Sequence, residues 1–370
     1  SSVVFWALTA VAAVAVIAVI VIAVVETCKR RPANNTIQIL SIEFNHNSNP
    51  QTGGIHIRQN NEIPIVPPEW VQNVNNENNP ACCAYIRGAV VNPYISVDLV
   101  FVSENADEHV VVALAAEENG NGILGNCNTG QLNMVANIPL HIDIPIPNAV
   151  PLLNGLLDIP VPPANGWWTW TCNLNGEEMF VCNTFHRVYR LLGQPVDPWR
   201  CQGEPYNPGE LSYPWTTAMD VAAGICATGV ANGGGEFLEC LAKGLNATPN
   251  FRYQGASHYF YPPDPFNPGN YTFYINMFQQ NFNDHGHVWA INCSDCSGVV
   301  GTYGNLHGVD LNILHLSGNN GNEAIFPCNP IIVIGQAEWA EPDEGHGFVY
   351  HQIVAPRGND SEVTDACLKI

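Results

Sequence analysis

Three residues able to work together on an acyl group lie in the last quarter of the chain. Asn292-Cys293-Ser294-Asp295-Cys296 runs into Val299, Val300, Tyr303 and Leu306, apolar positions three and four apart, and Gly308 follows. That spacing predicts a helix over Ser294 to Leu306 with one apolar face and a glycine stop. A cysteine at such a helix start meets free N–H groups and the positive end of the helix dipole, which favour thiolate over thiol. A nucleophilic sulfur needs that environment. His351 sits in the strand-like Phe348-Val349-Tyr350-His351-Gln352-Ile353-Val354, and Asp365 follows in Val363-Thr364-Asp365-Ala366-Cys367. Two adjacent strands joined by a loop over Arg357 to Ser361 would set Asp365 beside His351. Cys293, His351 and Asp365 then have the types for thiol acyl transfer: imidazole takes the thiol proton and the carboxylate orients the ring.

Other readings of these residues stay open. Cys293 and Cys296 form a C-x-x-C, which suits a disulfide. With His285 and His287 it would also suit zinc, although no second ligand pair is spaced to complete an ordinary site. The expectation is no metal and no cofactor. Asn292 heads a glycosylation sequon, and a glycan there would obstruct the thiol. His315 and His346 read as satisfied strand or loop histidines. Trp167, Trp168 and Trp170 read as β-sandwich core, with a ligand platform as the sharper alternative.

The elements that must position the three residues change character along the chain. From about Gly203, helices are expected at Tyr213 to Val230 and Glu236 to Leu245, then Ser294 to Leu306. Strands follow at Leu311 to Leu316, Ile331 to Ile334 and Phe348 to Val354, an α+β order. Between Pro32 and that region, short alternating runs predict strands at Ile37 to Phe44, Ile55 to Arg58, Ile95 to Val102, His109 to Ala115, Ile138 to Ile144 and Trp167 to Cys172. Asn/Gly/Pro clusters punctuate them, and an immunoglobulin-type sandwich is the expected arrangement. Pro145 to Pro163 reads as edge or loop, because proline cannot sit in a central ladder.

Cys-x-Asp at a helix start, a glycine ending that helix, a His on a later strand and an Asp beyond it resemble the transglutaminase-like cysteine-protease superfamily. The resemblance puts Cys293 on the nucleophile, Asp295 on the acidic follower, Gly308 on the helix-ending glycine, His351 on the base and Asp365 on the orienting acid. Thr184-Phe185-His186-Arg187-Val188-Tyr189 and Pro198-Trp199 are similar to bacterial proteins that set an Ig-like module before such a domain. Gln352 departs from the aromatic-rich neighbourhood usual after the His. The implied organisation is a hydrophobic helix over 1–32, an all-β Ig-like sandwich over 33–178 and an α+β transglutaminase-like (papain-like) domain over 179–370.

Composition narrows the setting. The chain has 370 residues and a formal net charge of -21, with 12 Lys plus Arg against 33 Asp plus Glu. Nucleic-acid binding is therefore disfavoured, because that affinity comes mainly from cationic neutralisation of phosphates. Thirteen cysteines, and sequons at Asn34, Asn246, Asn270, Asn292 and Asn359, favour an oxidising compartment and structural disulfides. An odd cysteine count leaves one thiol over or pairs it between subunits. Cys172 and Cys182 flank a turn-like stretch that a disulfide would staple. From Val3 to Val25 no residue is charged, and 23 residues of helix span roughly 35 Å, enough for a bilayer. An apolar N-terminal helix retained behind a Ser is similar to archaeal-type pilins. A single-span anchor is the alternative, though Lys29-Arg30-Arg31 would draw the following domain towards the cytoplasm.

Two functions are expected from these features. One is an extracellular pilin-like filament subunit, inserted in the membrane before assembly and joined to copies of itself through residues 1–32. The other is a membrane-anchored thiol acyltransferase or peptidase acting on extracellular polypeptide or cell-wall amides.

Overall fold

The computed structural model describes residues 35–44, 53–59, 65, 67–155, 157–159, 163–196, 213–226, 229–231, 233–254, 260, 273–284, 286–317, 326–327, 332–334, 347–348, 350–359 and 362–369. The expected helix over 1–32 lies outside them. So do Cys28, Cys201, Cys328, His285, His346, Pro198-Trp199 and the sequons at Asn34 and Asn270.

The first part is built of strands: β1 (Thr36–Glu43), β2 (Gly54–Ile55), β3 (Trp70–Val71), β4 (Ala81–Ile86), β5 (Tyr94–Val102), β6 (His109–Gly120), β7 (Cys127–Val135) and β8 (Leu140–Pro145). Helix α1 (Ala149–Asn154) and β9 (Leu157–Ile159) then lead to two long strands, β10 (Ala164–Leu174) and β11 (Glu177–Leu191). One sheet runs β3-β1-β5-β8 and the other β2-β4-β11-β10-β6-β7. Alternation drives this layer. In β6, Val110, Val112, Leu114 and Ala116 are buried while Val111 faces outward, the two-residue period of a pleated strand. Trp168, Trp170 and Cys172 of β10 follow the same rule and pack opposite Ile39, Val97 and Phe101 of the other sheet. Fully burying a side chain of this size contributes about 1.5–3 kcal/mol. The β10–β11 hairpin turns at Asn175-Gly176, whose φ angles of 55° and 91° are the left-handed pair a two-residue hairpin requires.

The second part contains α2 (Thr216–Ile225), β12 (Gly229–Ala231), α3 (Gly234–Ala247), β13 (Phe251–Tyr253), α4 (Ile275–Phe282) and β14 (Trp289–Ile291). After these come α5 (Cys293–Leu306), β15 (Leu311–Ser317), β16 (Phe326–Pro327), β17 (Ile332–Val333), β18 (Gly347–Phe348), β19 (Tyr350–Pro356) and β20 (Leu368–Lys369). Every residue of α5 is buried. Its neighbours are α3 and the antiparallel pair β15–β19. Gly304 makes that approach close: a Cβ there would sit 2.3 Å from Leu311 Cδ1. The helix ends at Gly308, whose φ of +83° suits glycine and whose Cα side abuts the backbone of Gly193.

The two parts share a boundary. Ala84, Tyr189 and Leu191, on β4 and β11, join the core that contains Trp215, Ala218 and Cys293. Beyond β11, the N–H groups of Leu192 and Gly193 donate to the His307 carbonyl at 3.0 and 3.1 Å, so the large sheet holds the C-terminal end of α5.

The expected fold class needs correction. The chain is β-rich, and among the described residues no helix is long and apolar enough to cross a membrane. The long hydrophobic helix therefore has no counterpart in the described fold. The sandwich also departs from an immunoglobulin arrangement, which consists of antiparallel sheets. β11 runs parallel to β4 inside a six-stranded sheet. Its residues 177–191 also cross position 178, where the expected sandwich ended. Among the described residues, the strands around α5 form separate two-stranded ladders.

Candidate active site

The start of α5 is fixed by a reciprocal cap. Asn292 Oδ1 accepts the N–H groups of Ser294 at 2.9 Å and Asp295 at 3.1 Å, while Asp295 Oδ2 accepts the Asn292 N–H at 3.1 Å. This is a capping box. The other oxygen of Asp295 accepts the N–H of Phe260 at 2.7 Å. Asp295 is therefore wholly occupied in holding the helix start and the chain at Phe260. Cys293, the first residue of α5, is 3% exposed.

β19 is pinned onto this helix beside His351. Ser297 Oγ donates to the Gln352 carbonyl at 2.7 Å. The Tyr350 hydroxyl lies 3.4 Å from both Asn292 Nδ2 and Ser294 Oγ. The Tyr350 ring stacks on His315 with centroids 5.0 Å apart, and Gln352 Nε2 reaches His315 Nδ1 at 3.3 Å. Gln352, the departure from the family pattern, thus supports His315, which stacks on Tyr350. Past the turn at Gly358, whose φ is +81°, the chain returns antiparallel: Val354 and Thr364 exchange N–H···O bonds of 3.0 and 2.7 Å. That return brings Asp365 to His351, with Oδ2 2.5 Å from Nε2. Asp365 Oδ1 in turn accepts the Cys367 N–H at 2.9 Å.

Cys293 completes the group, because it lies near enough to His351 to act on the ring's charge. Asp365 takes Nε2, and Nδ1, the other ring nitrogen, is buried and makes no hydrogen bond. Burial draws the imidazole towards its neutral form, but the hydrogen bond to Asp365 and the nearby Cys293 and Asp365 outweigh this and hold its pKa up at about 9. The three residues singled out from the sequence therefore meet in space. A thiol, an imidazole kept protonated at neutral pH and an orienting carboxylate can carry out nucleophilic acyl transfer.

Several neighbours were not anticipated. Tyr253, which pairs with Ile291 across β13 and β14, is half-buried near Cys293, Cys296 and Cys367, and burial followed by those thiols raises its phenol pKa. His307 caps the far end of α5. Burial, against a Tyr303 carbonyl bond of 2.8 Å, draws it down to about 4, so it is neutral. A buried His186–Glu118 pair at 2.7 Å lies in the sandwich against Trp168. Nothing in the strand pattern signalled it.

His287 is exposed and bound to Asp284 at 2.8 Å, and among the described residues no group of three or more His, Cys, Asp or Glu could hold a metal ion. Asn292 is 0% exposed and committed to the cap, which leaves no room for a glycan in the folded chain. Trp168 and Trp170 are core, and Trp167 is half-buried against Phe185. Among the described cysteines, Cys82, Cys83, Cys127, Cys172, Cys182, Cys226, Cys293, Cys296 and Cys367 are free of disulfides. The hairpin register sets Cys172 opposite Met179 and Cys182 opposite Trp170, so these two are not directly paired across the strands.

The chain matches no family model, and no curated protein matches it either. The likeness to transglutaminase-like enzymes therefore rests on its own residues.

Proposed function

We propose that this chain is a thiol-dependent acyltransferase or amide hydrolase, with Cys293 as nucleophile, His351 as general base and acid, and Asp365 as the acid that orients the ring. The observation that carries the reading is that His351 is hydrogen-bonded to Asp365 and lies beside Cys293, which opens α5. In the first step the thiol proton already resides on His351, and the Cys293 thiolate sulfur bonds to a substrate carbonyl carbon while the carbonyl π electrons move to its oxygen. The C–N bond then breaks, and the imidazolium gives that proton to the departing amine, which leaves a thioester on Cys293. The cap occupies the N–H groups of Ser294 and Asp295, so the Cys293 N–H is the helix-start donor that adjoins the developing oxyanion. In the second step water or an amine takes the acyl group. Lys29, Lys243 and Lys369 are the only lysines, so an amine acceptor would come from another molecule.

The acidic, cysteine-rich composition with sequons supports an extracellular setting and polypeptide or cell-wall amides as substrates. The filament-subunit expectation rests on residues 1–32, outside the described residues, and no described residue speaks for it. The acyl-transfer reading is tested by incubating the protein with an activated acyl ester and mapping peptide masses. One acyl adduct on Cys293, absent in His351→Ala, is expected; adducts elsewhere, or none, would remove the reading.

A further inference from the structure

Leu316 stands directly across from His351 in the β15–β19 ladder, between the pairs His315–Gln352 and Ser317–Tyr350. Residues paired this way in an antiparallel ladder raise their side chains from the same face, with Cβ atoms about 5 Å apart. His315 and Tyr350 occupy the other face, where their rings stack. The two members of the Leu316–His351 pair differ sharply in exposure: His351 is 5% exposed and Leu316 is 41% exposed. On the far side of β19, Thr364 bridges Val354, so Asp365 continues the face that carries Ile353 and His351. The imidazole therefore has the Asp365 carboxylate bonded to it from one flanking strand and an isobutyl group, partly open to solvent, on the other. A single exposed leucine is ordinary on a protein surface. This one adjoins the ring that must handle the amine.

We propose that Leu316 is a specificity-determining residue: it forms the apolar wall against which the side chain of the departing or accepting amine lies, so that the site prefers amines carrying an aliphatic group. This rests on the acyl-transfer reading and names the half of the substrate that His351 serves. In that reaction the imidazolium gives its proton to the departing nitrogen, and the imidazole takes a proton from any amine that replaces it. Either nitrogen must come within hydrogen-bond reach of the ring, about 3 Å. The substituent on the neighbouring carbon then lies beside whatever flanks the ring. On the Asp365 flank it meets a carboxylate, and on the Leu316 flank it meets hydrocarbon, which an aliphatic group covers with a gain from shed water. When an amine takes the acyl group, its nitrogen bonds to the thioester carbon and the C–S bond breaks. The sulfur leaves as thiolate and the amine proton passes to His351, which restores the starting pair.

The test uses the full chain acylated with p-nitrophenyl acetate and freed of excess ester. Leucinamide and serinamide are then offered together at equal concentration, and the two acetylated amides are counted by mass spectrometry, relative to their yields from the ester alone. Wild type should form the leucinamide product in about fivefold excess or more. Leu316→Ser should bring the ratio down to about one, and Leu316→Met, which keeps an apolar wall, should preserve the excess. The ratio does not depend on how much of a variant is folded, so a general loss of structure would not imitate the effect. Equal yields in wild type, no amide product from either amine, or an unchanged ratio in Leu316→Ser would overturn the proposal while the acyl adduct on Cys293 stands. No acyl adduct on Cys293 in wild type would overturn the acyl-transfer reading, and this inference with it.

Discussion

The carboxylate of Asp295 bridges two stretches of backbone: one oxygen accepts the N–H of Asn292 at 3.1 Å and the other that of Phe260 at 2.7 Å, both in the buried interior. Asp295 follows the nucleophile by two residues, yet its work is architectural. Hydrogen bonds to an ionised group contribute about 1.5–3 kcal/mol each, and stranding the donors adds a desolvation cost. Asp295→Ala should therefore lower stability by about 3 kcal/mol or more, read as a reduced denaturant midpoint. Asp295→Asn, which keeps one acceptor, should lose less. Equal loss in both variants would mean that only the charge matters.

Two glycines in helices should respond in opposite directions. A Cβ on Gly304 would meet Leu311 Cδ1 at 2.3 Å, whereas one on Gly235 meets nothing within 4 Å. Gly304→Ala should cost about 1–3 kcal/mol by overpacking. Gly235→Ala should stabilise by up to about 1 kcal/mol through reduced freedom of the unfolded chain. Thermal melts of the two variants test this, and a neutral Gly304→Ala would show that α5 and β15 are not in tight contact.

Stability should carry a pH signature from His351. Its folded pKa, about 9, lies above the ordinary 6.5, so protonation favours the folded state. That contribution is complete below about 6.5 and disappears as pH rises through about 9. The melting-temperature gap between wild type and His351→Gln should shrink across this window. A gap that is flat, or that widens with pH, would mean a neutral imidazole.

Glycan occupancy separates two sequons. Asn292 is buried in the cap of α5, and Asn359 is exposed on the turn after β19. Glycopeptide mapping of protein from a glycosylating host should find Asn292 bare, while Asn359 is accessible to modification. A glycan on Asn292 in folded protein would contradict the cap.

The candidate site was more legible than the fold around it. Cys293, His351 and Asp365 were readable because each depends on local cues: a cysteine just before an apolar run, a strand, and a short return loop. The strand pattern likewise anticipated β1, β5 and β10. The immunoglobulin arrangement failed because alternation reports which face a strand buries and not which strand lies beside it. The parallel pairing of β4 with β11 joins residues about a hundred positions apart, beyond any local signal. Tyr213 to Val230 read as one helix, yet α2 stops at Ile225 and β12 begins at Gly229, because small apolar residues serve either state. Gly301 and Gly304, where a Cβ would meet Ile313 and Leu311 of β15, were present in the sequence as a packing signal that apolar periodicity alone passes over.

The most direct measurement is the rate at which iodoacetamide alkylates each cysteine at pH 7 in the native protein, followed by peptide mass spectrometry, in wild type, His351→Ala and Asp365→Asn. Cys293 should react first, and its rate should fall by about 100-fold or more without the imidazole. A Cys293 that reacts no faster than the buried thiols of the sandwich, or at the same rate in all three proteins, would contradict a functional Cys293–His351–Asp365 site.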